Sequence, residues 1–166
     1  MALSTENNTL LDISALHMPA GTKVAVIATQ WNEKIVAEQV AGAARIARQA
    51  GVELADILYV PGCVELPYAI RKYLGAAAGI GAVIAFGAVV RGDTPHFDYV
   101  CNMVSEGINH LNLAMDVPVI FGVLTVNTEQ QAWERLGGAH GHKGEEAMIT
   151  ALKMIQFEQQ LSSRHS

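Results

Sequence analysis

Four runs of apolar residues alternate along the chain with longer segments in which apolar residues recur at helical spacing. The runs are short and rich in β-branched residues, which is typical of strands buried on both faces of a parallel sheet. The predicted strands cover residues 23–30, 55–60, 82–90 and 117–126. The predicted helices cover residues 33–50, 65–78, 95–114, a short stretch from 127 or 128 to 135, and 144–161.

This alternation predicts an α/β fold, because parallel strands joined by long helices form right-handed crossovers with helices on both faces of the sheet. The expected architecture is a three-layer α/β/α sandwich with a four-stranded parallel sheet, doubly wound and flavodoxin-like. Ligands bind beyond the carboxyl ends of the strands in such sheets. All four predicted strands end in polar or small groups, so the pattern predicts one pocket at one rim.

The alternating pattern occupies residues 21–162, which we interpret as a single domain. A chain of 166 residues is long enough to bury about two-thirds of its unfolded surface in one domain. Residues 1–20 precede the pattern as an N-terminal arm, which we expect either to be disordered or to add a strand to a neighbouring subunit. Residues 163–166 form a short tail.

Composition and charge favour some classes of partner and argue against others. With 51% hydrophobic and only 16% charged residues, the chain is expected to cover apolar surface by self-association. A net charge of −5 without a Lys/Arg cluster argues against nucleic acid as a partner. No run reaches the roughly 20 apolar residues of a membrane helix, and no leader pattern precedes the domain, so we expect a cytoplasmic protein.

Metal and disulfide chemistry are not expected. The two cysteines lack CxxC spacing, which argues against a disulfide framework. His140 and His142 are separated by one residue and have no third ligand at a fixed spacing, which favours a polar loop over a metal site.

The segment RGDTPHF, directly after the third predicted strand, carries the strongest chemical signal. Backbone N–H groups at a helix start, a glycine that permits close approach and a threonine hydroxyl can together hold a phosphate. We therefore predict a phosphate cradle at Gly92, Asp93 and Thr94. His96 lies beside it, and imidazole exchanges protons near neutral pH, so we predict that His96 is a general acid/base.

The segments RGDTPHFDYV, PGCVELP, FGVLT and HKGEEA, in this order, resemble the lumazine synthase family over about residues 20–160. The resemblance implies condensation of 5-amino-6-(D-ribitylamino)uracil with L-3,4-dihydroxy-2-butanone 4-phosphate. The product is 6,7-dimethyl-8-ribityllumazine, formed with release of phosphate and water in the penultimate step of riboflavin biosynthesis. It implies small-molecule substrates and no cofactor or metal.

The resemblance also implies roles for residues at the strand ends. Trp31 stands where the family usually has a phenylalanine that stacks on the pyrimidine. Glu65 accepts hydrogen bonds from ribityl hydroxyls. The remaining substrate contacts implied here are Asn32, Cys63 and Val64, and the main chain of Ala88, Val89 and Val90.

A second set of implied site residues comes from later in the chain. Phe121 matches an aromatic lid supplied by the adjacent subunit, and Arg135 matches an arginine that reaches the phosphate across the subunit boundary. Lys143 and Glu146 are three residues apart and share one helix face, where Glu146 relays protons. We accordingly expect His96, Arg135 and Glu146 to be catalytic and Lys143 to bind substrate.

The resemblance implies a homopentamer with active sites between subunits, which remains alone, pairs into a decamer or closes into a sixty-subunit icosahedral shell. Two other functions remain open. One is an archaeal-type riboflavin synthase relative, whose reaction uses no ketose phosphate. The other is a non-catalytic shell protein that binds flavin or lumazine.

Overall fold

The computed structural model describes residues 10–164 and contains a sheet of four strands with helices between them. The strands are β1 (Lys23–Thr29), β2 (Glu53–Val60), β3 (Ala82–Val90) and β4 (Val119–Val126). The helices are α1 (Glu33–Ala50), α2 (Leu66–Ala76), α3 (His96–Ala114), α4 (Glu129–Trp133) and α5 (Lys143–Arg164). A 3-10 turn, Cys63–Glu65, precedes α2, and two short strands, β5 (Leu136–Gly138) and β6 (Gly141–His142), pair before α5.

The four-stranded sheet has the order β2-β1-β3-β4, and all its pairings are parallel. Side chains alternate between its faces, so successive residues of the central strand β1 enter different layers. Val24, Val26 and Ala28 pack under α1 and α5. Ala25 and Ile27 pack under α2 and α3. The predicted three-layer α/β/α architecture with a four-stranded parallel sheet is confirmed.

Element boundaries differ from the sequence prediction where polar or special residues interrupt the pattern. β4 begins at Val119 rather than 117, because Pro118 has no N–H to donate to the ladder. β2 begins at Glu53 rather than at residue 55. Glu53 pairs with Lys23, but its exposed, charged side chain does not fit the apolar pattern from which the strand was predicted. The helix α5 starts one residue earlier than predicted and continues to Arg164, into the predicted tail.

The glycine-rich segment before α5 was predicted as a connection, but it forms the β5–β6 hairpin. Gly137 and Gly141 adopt φ values of 103° and 75°, a left-handed region that glycine enters without a steric penalty. Strands of three and two residues are too short to show an alternating pattern, so the sequence did not predict them.

The described part of the N-terminal arm packs on its own chain. Residues 10–20 form no strand, and Ile13, Leu16 and Met18 lie against the core beneath α1 and α5. Residues 1–9, where a strand donated to a neighbour would also be sought, lie outside the described residues. Among residues 10–164, no helix is long and apolar enough to cross a membrane.

The helices α1 and α5 approach each other closely at Gly144. A methyl group on Gly144 would overlap the carbonyl oxygen of Gln39 and lie 2.8 Å from its Cα atom. Backbone atoms cannot move aside as a flexible side chain can, so this contact requires glycine. Gly75 of α2 is the opposite case, because nothing lies within 4 Å of a methyl group placed there.

We therefore expect Gly144→Ala to lower the free energy of unfolding by about 1–3 kcal/mol through overpacking. Gly75→Ala should instead raise it by up to about 1 kcal/mol, because alanine is the better helix former. Urea unfolding at one fixed protein concentration compares the two variants. Equal effects of both substitutions would contradict the close approach of α1 and α5.

A second prediction concerns the bond between α2 and the outer strand β2. The Tyr73 hydroxyl donates to Asp56 at 2.6 Å. Burial, followed by the hydrogen bond and charge of Asp56, raises the pKa of Tyr73 to about 12. Because this folded-state pKa is raised, its contribution to stability is complete below the ordinary value of 10.0 and is lost as the pH rises through about 12.

The phenolate absorbance is followed as the pH is raised, in the wild type and in Tyr73→Phe. The difference between the two curves should show Tyr73 ionising with a pKa of about 12. In Asp56→Asn the Tyr73 midpoint should move only part of the way back, because burial is the larger cause. A Tyr73 midpoint at the ordinary value in the folded wild type would contradict the assignment.

Candidate functional site

The predicted site residues fall into two groups in the structure. Those of the first group, called the rim group, lie at or beyond the carboxyl ends of β1, β2 and β3. The rim group consists of Trp31, Asn32, Cys63, Val64, Glu65, Ala88, Val89, Val90, Gly92, Asp93, Thr94 and His96. The second group, called the edge group, lies beside the edge strand β4 and consists of Phe121, Arg135, Lys143 and Glu146.

Trp31 and Glu65 converge above Gly62. A methyl group on Gly62 would lie 3.5 Å from Cδ1 of Trp31 and 3.1 Å from a carboxylate oxygen of Glu65. The Trp31 side chain is 72% exposed, although an indole is usually largely buried. An exposed aromatic face beside a carboxylate can stack on a flat heterocycle while the carboxylate accepts hydrogen bonds from hydroxyls.

Asn32 joins the ends of two neighbouring strands. Its backbone is left-handed (φ 60°, ψ 42°), a conformation that asparagine tolerates better than most residues. Its side-chain amide donates to the carbonyl oxygen of Ala88 at 2.8 Å. Ala88 and Val89 are buried and Val90 is half-buried, so only main-chain groups near the end of β3 can face a ligand.

Cys63 is buried beneath the end of β3. A methyl group on Gly87 would lie 2.6 Å from its Sγ atom, so the thiol packs directly against that glycine. Burial, with smaller contributions from Cys101 and Glu65, raises the pKa of the Cys63 thiol to about 12. The thiol is therefore neutral at physiological pH and acts as a small apolar side chain rather than a nucleophile. Its neighbour Val64 is half-buried.

The loop between β3 and α3 is exposed and carries backbone N–H groups that have no acceptor in the described part of the chain. Within residues 10–164, no protein group accepts a hydrogen bond from the backbone N–H of Gly92, Asp93 or Thr94. The Thr94 hydroxyl accepts from the backbone N–H of His96 at 3.4 Å. Asp93 makes no such capping contact. The exposed His96 is the first residue of α3, beside these free donors.

Arg91, the first residue of the RGDTPHF segment, supports the loop. Its Nε donates to Asn127 at 3.0 Å and its terminal nitrogen donates to Asp98 at 3.0 Å. The guanidinium also lies 4.0 Å from the centre of the Phe97 ring. Arg91 thereby ties the end of β3 to the first turn of α3 and to the end of β4. Sequence reasoning missed this role, because nothing in the local pattern shows that Arg91 pairs with Asp98 and with Asn127, which lies 36 residues away.

The edge group lines a cavity of about 920 Å³ that extends along β4 between the end of α3 and the side of α5. All four members contribute to its wall, and Phe121 is 43% exposed. Among the described residues, no member of the rim group lines this cavity. One chain therefore presents two separate sets of predicted site residues.

Charge in the edge group is partly neutralised internally. Lys143 donates to one carboxylate oxygen of Glu146 at 2.6 Å, and both side chains are more than four-fifths buried. The other oxygen, Oε1, is buried and has no hydrogen-bond partner among the described residues. Arg135 donates to the carbonyl oxygen of Gln131 at 2.9 Å, which leaves further guanidinium donors available.

His140 also lines this cavity, which the sequence did not predict. It is exposed in the turn between β5 and β6, and the hairpin places it near the edge group. No group of three or more His, Cys, Asp or Glu side chains within residues 10–164 is arranged to hold a metal ion.

Comparison with known proteins bears on the activity. The family model described as 6,7-dimethyl-8-ribityllumazine synthase matches residues 21–159. A 6,7-dimethyl-8-ribityllumazine synthase of Porphyromonas gingivalis is 45% identical over 160 residues, which cover 94% of this chain and 99% of the relative. That of Parabacteroides distasonis is 40% identical over 159 residues, covering 95% and 99%. That of Streptomyces avermitilis is 46% identical over 132 residues, covering 78% and 81%. The chain therefore belongs to the 6,7-dimethyl-8-ribityllumazine synthase family.

Proposed function

We propose that this chain condenses 5-amino-6-(D-ribitylamino)uracil with L-3,4-dihydroxy-2-butanone 4-phosphate to 6,7-dimethyl-8-ribityllumazine, releasing phosphate and water. The observation that carries this proposal is the family match across residues 21–159. The reaction joins an amine to a ketone, eliminates phosphate and closes a ring with loss of water. It therefore requires a binding site for a flat pyrimidine, an anion site and a group that moves protons.

The rim group supplies the pyrimidine site. Trp31 offers an exposed aromatic face, and Glu65 beside it offers a carboxylate for the ribityl hydroxyls. Asn32, anchored on Ala88, holds the strand ends together beneath the ring. The main chain of Cys63, Val64, Ala88, Val89 and Val90 completes the walls. Holding both substrates in register accounts for much of the rate acceleration, so these positioning groups matter as much as acids and bases.

The loop after β3 supplies the phosphate and proton chemistry. Gly92, Asp93 and Thr94 present free N–H donors near the start of α3, where the helix dipole favours an anion. His96, exposed next to them, protonates the leaving phosphate and moves protons in the later tautomerisation. Asp93 is exposed, so its carboxylate remains in contact with water.

The edge group acts on a neighbouring copy. Phe121 covers the pyrimidine, and Arg135 and Lys143 bind the phosphate from the second side. The unpartnered oxygen of Glu146 accepts a proton or a hydrogen bond from the reacting centre. Arginine suits the phosphate because its planar fork binds two oxygens at once.

We infer that copies associate head to tail, with the rim group of one facing the edge group of the next. The rim side exposes Ile57, Leu58 and Tyr59 of the edge strand β2, and the opposite side exposes Phe121, so both sides present apolar surface. A heterologous contact of this kind closes into a ring if the rotation permits. The proposed ring is a homopentamer, alone, paired as a decamer or assembled into an icosahedral shell of sixty subunits.

The purified protein, mixed with both substrates, should form lumazine well above the spontaneous rate, as followed by absorbance. We expect His96→Ala to lower kcat by about 10²–10⁴-fold, the usual range for a general acid/base. His110→Ala, a change at another exposed histidine of α3, is the matched control and should leave the rate unchanged. Unaltered turnover in His96→Ala would remove this residue from the chemistry. Riboflavin formed from lumazine alone would identify the archaeal-type activity instead.

Complementation tests the shared site. His96→Ala and Arg135→Ala should each be impaired, because the first damages the rim group and the second the edge group. In rings assembled from an equal mixture, about one quarter of the seams combine two intact halves. Refolding the two variants together should therefore restore about one quarter of wild-type activity, whereas mixing them without reassembly should restore none. If the two variants are shown to assemble together and activity is still not restored, both residues belong to a site within one chain.

A further inference from the structure

We infer that His142 is a positioning residue that holds Lys143 and Arg135 at the phosphate, an inference that rests on the proposed function of the edge group. His142 is 9% exposed and lies in β6, between α1 and the start of α5. It lines neither the edge cavity nor the rim, so any influence on the reaction passes through other residues.

Both ring nitrogens of His142 are engaged. The backbone N–H of Glu145 donates to Nδ1 at 3.3 Å, and Nε2 lies 3.0 Å from a carboxylate oxygen of Glu38 on α1. A backbone N–H can only donate, so Nδ1 must be the unprotonated acceptor. The proton is then on Nε2, where it is donated to Glu38. The neighbouring carboxylate thus selects the tautomer that the start of the helix requires.

The bond from Glu145 makes His142 the N-terminal cap of α5. A cap side chain normally accepts from the third residue of the helix, and the spacing from 142 to 145 matches this arrangement. Lys143 is the first residue of the helix, so the cap fixes the turn that carries it. The backbone N–H of Lys143 also donates to the carbonyl oxygen of Arg135 at 2.8 Å. The orientation of the capped turn is therefore transmitted to both cations.

The His142 ring packs directly against Gly42 of α1. A methyl group on Gly42 of α1 would overlap Cε1 of His142 and lie 2.6 Å from Nδ1. The charged groups facing the ring are Glu38 and Arg45 from α1 and Glu145 from α5. Arg45 donates to both carboxylates, at 3.1 Å to Glu38 and 3.0 Å to Glu145, and thus holds Glu38 in place. The hydrogen bond from His142 is also the largest cause lowering the pKa of Glu38.

Substitutions at His142 can separate capping from mere filling of space. Asparagine retains an acceptor for the Glu145 N–H and is a preferred cap, whereas leucine fills the space but accepts nothing. We expect His142→Leu to raise the KM for the butanone phosphate about fivefold or more, while the KM for the pyrimidine changes less than about twofold. His142→Asn should restore the phosphate KM to near the wild-type value. His110→Leu makes the same change at an exposed histidine of α3 that belongs to neither group, and it serves as the matched control with an unchanged phosphate KM.

Two results would overturn the inference: a phosphate KM unchanged in His142→Leu, or no rescue by asparagine. Should the leucine variant fail to fold, His142→Ala, which also removes the acceptor for the Glu145 N–H, takes its place in both comparisons. Arg135→Ala, measured in parallel, separates this inference from the proposed function. A raised phosphate KM in Arg135→Ala with none in His142→Leu removes only the positioning role. An unchanged phosphate KM in Arg135→Ala removes both.

Discussion

Parallel pairing of β1 with β2 on one side and β3 on the other brings the carboxyl ends of three strands to a single rim. A parallel sheet has to be covered on both faces, which commits α1 and α5 to one face and α2 and α3 to the other. The helices leave the rim open, and Trp31, Glu65 and His96 meet there although they are distant in sequence. The position of every rim residue depends on this pairing.

The outermost position of β4 has a different consequence. An edge strand has unpaired hydrogen-bonding groups on one side, which natural proteins shield or use for association. Here the Asn112 side chain bonds both backbone groups of Val119, which blocks the start of this edge. The rest of the strand lines the edge cavity. In the proposed function the rim group and the edge group complete one site where two copies meet, which connects catalysis to assembly.

Around this frame, polar contacts of modest individual strength orient the chemical groups. Arg91 braces the loop after β3, and His142 with Glu38 fixes the start of α5. Both join elements that are far apart in sequence, so the loop after β3 and the hairpin before α5 are held by side chains rather than by regular secondary structure.

The four strands, the longer helices and the three-layer architecture follow from the sequence, because hydrophobic periodicity reports directly on which faces are buried. Family motifs then indicated the residues of both groups, and the resemblance already implied that Phe121 and Arg135 act across a subunit boundary. The tertiary structure added that Lys143 and Glu146 line the same cavity as those two residues, because the position of α5 beside β4 is a long-range property of the fold. The same holds for the β5–β6 hairpin, for the placement of His140, and for the roles of Arg91 and His142. Their partners are set by packing between distant elements, which leaves no local pattern in the chain.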